Sequence, residues 1–158
     1  MLVTVSLLAD LPGSVQAVAD MRWLEWGHPP EPADPAWWLA TTVREAGREN
    51  LPVTFVAHDA AWEVLGAVGL DTYDLDERQD TSPWVTGLIV RRDQRGAGVG
   101  RTLMQHLEQW AAEQRIAEAW VGTDLALGFY QRCGWTLQEA FTTRTGQHMD
   151  VLHKRLAR

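Results

Sequence analysis

The stretch RRDQRGAGVGRTL, residues 91–103, sets three glycines on alternate positions, Gly96, Gly98 and Gly100, with arginines on both sides. Glycine costs backbone entropy, so three of them suggest a chain that must approach something closely or adopt unusual dihedrals. The flanking charge suggests that the something is an anion. Upstream, WVTGLIV (84–90) reads as a strand. Downstream, Val99, Leu103, Leu107, Trp110 and Ala111 recur at spacings of three and four, one continuous helical face ending near Gln114. A strand feeding a glycine loop and then a helix collects backbone N–H groups and the positive helix end where a phosphate can sit.

Outward from this core the chain alternates strands and helices without repeats. LVTVSLL is a first strand, and ADLPGSVQAVADMRWLEW a helix with Pro12 near its start. GHPPEPADP breaks it, and AWWLATTVREAGREN is predicted as a second helix through Asn50. PVTFVAH and EVLGAVGL, joined by a turn at residues 59–62, read as a hairpin. The acidic DTYDLDERQDTSP is a loop, AEAWVG a strand, DLALGFYQRC a short helix capped by Gly134, and WTLQEAF and HMDVLHKRL closing strands. The fold class is α/β with a mixed sheet.

The composition narrows the possible partners. The 158 residues fit a single domain over 1–158, and 46% apolar residues with 22% charged residues describe a folded chain. Its longest apolar runs are too short to cross a bilayer and no charged leader precedes them, so the cytoplasm is the expected location and no membrane partner is expected. A net charge of −7 speaks against nucleic acid and leans toward a cationic or neutral small substrate. With Cys133 alone, neither an internal disulfide nor a cysteine-rich zinc site is available, and Cys133 has no histidine at a nucleophile's spacing. His28, His58, His106, His148 and His153 show no metal-ligand spacing, so no metal is expected.

Phosphate-loop templates can be tested by spacing. The Walker pattern would need glycine in place of Arg95 and lysine in place of Arg101; the dinucleotide pattern would need glycine at Arg101 or Leu103. Both fail. GLIVRRDQRGAGVGRTLMQHLEQWA instead resembles the acetyl-coenzyme A segment of the GNAT N-acetyltransferase superfamily, with Arg95, Gly98 and Gly100 filling [QR]-x-x-G-x-[GA]. TDLALGFYQRCGW looks like that family's later motif, with Phe129-Tyr130 and then Gly134-Trp135. The resemblance covers residues 82–136.

The resemblance implies a mostly antiparallel central sheet flanked by helices on both faces, with strands 4 and 5 splayed. It implies an acyltransferase that moves an acetyl group from acetyl-coenzyme A to a primary amine by direct transfer. Leu88, Ile89 and Val90 would pair with the pantetheine arm, and the loop Arg95, Gly96, Ala97, Gly98, Val99, Gly100, Arg101 and Thr102 would hold the phosphates. Arg91, Arg92 and Arg101 either assist there or form a solvated face. Tyr130 stands where the family places its general acid, and the Leu88 N–H where it polarises the thioester carbonyl; a tyrosine there can also simply pack its ring.

The base stays open. Relatives often carry a glutamate just before GLIV, where this chain has Trp84 and Thr86. Glu118 matches a base position in some relatives; Asp71, Asp74 and His28 are alternatives. Trp26, His28 and Trp38 flank the loop expected to wall the acceptor cleft, and aromatic rings beside acidic residues suit a cationic amine. Three further readings remain: a different acyl group, a coenzyme A sensor without turnover, and a homodimer paired through the exposed edge expected of HMDVLHKRL.

Overall fold

The computed structural model describes residues 2–156. β1 (Thr4–Leu7) leads through two 3₁₀ turns into α1 (Val15–Trp26), and after a proline-rich loop comes α2 (Pro35–Arg44). Then follow β2 (Val53–His58), β3 (Val64–Asp71) and β4 (Trp84–Val90), α3 (Val99–Glu113), β5 (Glu118–Thr123), α4 (Leu127–Arg132), β6 (Thr136–Thr142) and β7 (His148–Arg155). All seven strands form one sheet in the order β1-β2-β3-β4-β5-β7-β6. Every pairing is antiparallel except β4 with β5.

Period-two alternation sorts the helices onto the two faces of the sheet. On β2, Val53, Phe55 and Ala57 pack with Leu103, Met104 and Leu107 of α3, whereas Val56 points the other way and meets Val18 of α1. α3 buries Val99, Leu103, Met104, Leu107 and Ala111, the stripe read from its spacing. A third cluster, Trp84, Met149 and Val151, is covered by Leu75 from the β3–β4 loop.

Two expectations are corrected. α2 stops at Arg44 because the chain turns back on itself: Thr54 Oγ1 donates to the Glu45 carbonyl at 3.0 Å and the Gly47 N–H to the Pro52 carbonyl at 3.1 Å. HMDVLHKRL is not an edge: β7 lies between β5 and β6, and the edges are β1 and β6. Among the described residues no helix is long and apolar enough to cross a membrane.

Candidate active site

β4 and β5 pair only at Trp84–Trp120 and Val85–Val121, then part. Just beyond, β4 carries an extra residue relative to β3: Gly69 faces Thr86 and Ala67 faces Ile89, so Gly87 and Leu88 together oppose Val68. Gly87 makes this bulge at φ +56°, a left-handed conformation that glycine adopts without a Cβ penalty. The bulge turns backbone out of the ladder at the mouth of the split.

On one side of it lies a cavity of about 680 Å³. Its apolar walls are Leu88, Ile89 and Val90 of β4 with Ala126 and Phe129 from the α4 region; its polar end is the glycine loop. Gly96 and Gly98 stand at φ +80° and +85°, and the positions their Cβ atoms would occupy are open. Gly98 is also the N-cap residue of α3, so the first N–H groups of that helix face the loop. Arg95 holds the loop's base, donating from Nε to the Val90 carbonyl at 2.9 Å and pairing with Glu25 at 3.3 Å. Arg101 and Arg132 also line this cavity. An extended, amide-bearing ligand with an anionic end fits such a groove.

A second cavity of about 330 Å³ lies between α1, α2 and the bulge. Trp26 lines both cavities, so they meet at its ring. Trp38, 6.3 Å from Trp26 between ring centroids, and Trp37, 5.0 Å from Trp38, continue the aromatic wall. The proline-rich loop is tied down by indole N–H groups: Trp23 donates to the Ala33 carbonyl and Trp38 to the Pro32 carbonyl, at 2.9 and 2.8 Å. The lining of this second cavity carries three carboxylates, Glu31, Glu45 and Asp74, and the cation Arg22; Glu45 also pairs with Arg44, outside the lining, at 3.7 Å. Arg22 is buried and donates to Glu45 at 2.9 Å, to Thr42 at 3.3 Å and to Thr54 at 3.5 Å, leaving Nε without a partner. Burial lowers its pKa while Glu45 opposes the fall.

Tyr130 lies in the core, 5% exposed and lining neither cavity, with its ring edge-on to Phe129, which lines the first, and to Trp135. Burial, then the charges of Asp74 and Cys133, raise its pKa, so the phenol keeps its proton at neutral pH. Burial likewise pushes the Cys133 thiol up, away from a nucleophile's range.

Of the residues read from sequence, Leu88 to Val90, Arg95, Gly96, Gly98 to Arg101 and Trp26 line the first cavity, and Trp26 and Trp38 the second. Ala97 and Thr102 do not line it; the Thr102 hydroxyl caps its own helix by donating to the Gly98 carbonyl. His28 is an exposed loop residue outside the second cavity, its Nδ1 3.3 Å from the Pro29 carbonyl. Glu118 begins β5, at the end of that strand away from the split, and its carboxylate bonds His153 Nε2 at 2.6 Å. The structure therefore does not bring it to the cleft. Arg22, Glu45 and Thr86 were not singled out for the acceptor side; tertiary packing alone gathers them there.

A search of curated protein sequences finds no match. Among solved structures, the chain is similar to an aminoglycoside 6'-N-acetyltransferase complexed with coenzyme A (TM-score 0.78, 16% identity, 99% of this chain and 97% of that one). It is similar too to an aminoglycoside 6'-acetyltransferase type Ii (TM-score 0.77, 20% identity, 99% and 97%). A spermidine/spermine N-acetyltransferase, SpeG from Vibrio cholerae, is a further structural neighbour (TM-score 0.72, 17% identity, 98% and 92%). The acetyltransferase (GNAT) family profile matches residues 15–135, spanning the glycine loop, the split strands and Tyr130, and on that match the chain belongs to the acetyltransferase (GNAT) family.

Proposed function

We propose that the protein transfers an acetyl group from acetyl-coenzyme A to a primary amine of a small cationic acceptor, directly and without an acyl-enzyme. The observation that carries this reading is the junction of the two cavities at Trp26, beside the Gly87–Leu88 bulge. The coenzyme supplies an activated acetyl thioester.

The residues present fit it. Gly96 and Gly98 leave open space where side chains would project, and the N–H groups of the loop and of the α3 start supply donors for the phosphates. Leu88 to Val90 offer a strand edge for the amide-bearing arm. The Leu88 N–H supplies the donor toward the thioester carbonyl. Tyr130, held protonated, supplies the proton for the departing sulfur. The acceptor side takes a cation through Trp26 and Trp38 and the surplus of carboxylate, as expected for amines of the kind named for the structural neighbours.

Titration calorimetry with acetyl-coenzyme A tests the reading. Native protein binds; Gly98→Trp, whose side chain fills the cradle, does not; Gly98→Ala carries the φ strain without the bulk and retains measurable affinity. No native binding overturns the proposal. A screen of primary amines for thiol release then identifies the acceptor.

A further inference from the structure

We infer that Asp74, on the loop between β3 and β4, takes the proton from the acceptor ammonium. The inference rests on the acyl-transfer reading above and names the base that reading leaves open.

Asp74 shares its cavity with Trp26, Thr86 and Gly87, so it stands on the acceptor side of the bulge whose next residue is Leu88. Its neighbour Leu75 is the anchor that puts it there. Leu75 packs on Trp84, Met149 and Val151 and reaches Gly122, where an added Cβ would come within 3.1 Å of it. The Leu75 carbonyl accepts from the Arg78 N–H at 3.0 Å and from Gln79 Nε2 at 2.8 Å. Arg78 in turn pairs with Glu139 on β6 at 2.5 Å, and Glu77 accepts from the Arg144 N–H at 3.0 Å. A loop pinned in this way fixes the backbone that carries Asp74 before any ligand arrives.

The surroundings give Asp74 a base's chemistry. Asp74 is exposed at the mouth of the open cavity, so water reaches it, while the protein packed around the site takes away part of its hydration. That desolvation, with the charges of Asp71, Glu45 and Glu31, pushes its carboxyl up to about 6. The facing groups are these three carboxylates, Tyr130, whose phenol feels the Asp74 charge, and Arg22, which lines the same cavity. At neutral pH Asp74 is ionised but close to its titration, where a general base is most effective.

The step balances. The acceptor ammonium enters with three protons and leaves as an amide with one. One proton passes to Asp74 as an N–H bond breaks and an O–H bond forms, its electron pair staying on nitrogen to form the new C–N bond while the C–S bond breaks. Tyr130 gives its proton to the sulfur and is restored by the second proton from nitrogen. Asp74 returns its proton to solvent through the open cavity.

The test uses the full chain with spermidine as probe amine. By titration calorimetry from pH 5 to 8, native protein binds spermidine more tightly as pH rises through about 6, and Asp74→Asn removes that rise. With whichever amine turns over, Asp74→Asn lowers kcat/KM by about 10²- to 10⁴-fold and loses the acid limb, while acetyl-coenzyme A affinity stays native. Glu45→Gln moves the acid limb to lower pH. An unchanged pH dependence of binding in Asp74→Asn, native-like turnover by it, or no spermidine binding by native protein overturns the inference. Loss of acetyl-coenzyme A binding by native protein would instead sink the reading beneath it.

Discussion

The guanidinium of Arg22 lies directly beneath Gly87: a Cβ built on that glycine would stand 3.8 Å from Nη2 and 4.0 Å from Nε. There is room for a methyl group, so the cost of Gly87→Ala comes from the backbone at φ +56° and not from a clash. That cost is about 1–2 kcal/mol, on the order of 2–8 °C in melting temperature by calorimetry. Relaxing the bulge to avoid it would re-aim the Leu88 N–H, so kcat should fall by up to about 10²- to 10³-fold, more than the melting shift alone implies.

Tyr130→Phe removes one oxygen from a ring that is almost wholly enclosed. The packing against Phe129 and Trp135 survives, so acetyl-coenzyme A affinity and melting temperature should stay close to native, while kcat falls about 10²- to 10⁴-fold. Steady-state kinetics alongside calorimetry reads both. A sensor without turnover would change in neither.

Arg22→Met takes the nearer of two cations from Glu45, which is 20% exposed and keeps Arg44 at 3.7 Å. Breaking the pair from one side should cost about 1–3 kcal/mol, less than for a fully buried pair, and the double variant Arg22→Met/Glu45→Gln should recover much of it. Urea unfolding of the four members of this cycle measures the coupling.

Asp74 should cost the fold stability at neutral pH. With its native carboxyl titrating near 6 against an ordinary 3.8, the folded chain holds a proton between those values that the unfolded chain has released. Stability from this group is therefore fully present below about pH 4 and is lost as pH rises through about 6. Asp74→Asn should match native melting at pH 4 and exceed it at pH 7. A melting difference that does not change with pH would show that its neighbours do not press on it.

The sequence made the local devices legible and the long-range ones opaque. Gly96 and Gly98 sit at positive φ, as their spacing suggested, because that requirement belongs to the residue itself. The stripe on α3 was readable for the same reason. Nothing local could show that β7 inserts between β5 and β6, nor that Thr54, ten residues after Arg44, receives the chain as α2 ends. Glu118 lies at the end of β5 away from the split, a placement that depends on where β4 and β5 part. Asp74 reaches the cavity only because Leu75 finds a pocket made by Trp84, Met149 and Gly122, residues scattered along half the chain.

Trp26 forms part of both cavities. Any coupling that this shared wall creates between a coenzyme and an acceptor must be reciprocal: the factor by which the coenzyme alters the affinity of the acceptor is the factor by which the acceptor alters that of the coenzyme. One indole is therefore where a change to either pocket would register in the affinity of the other.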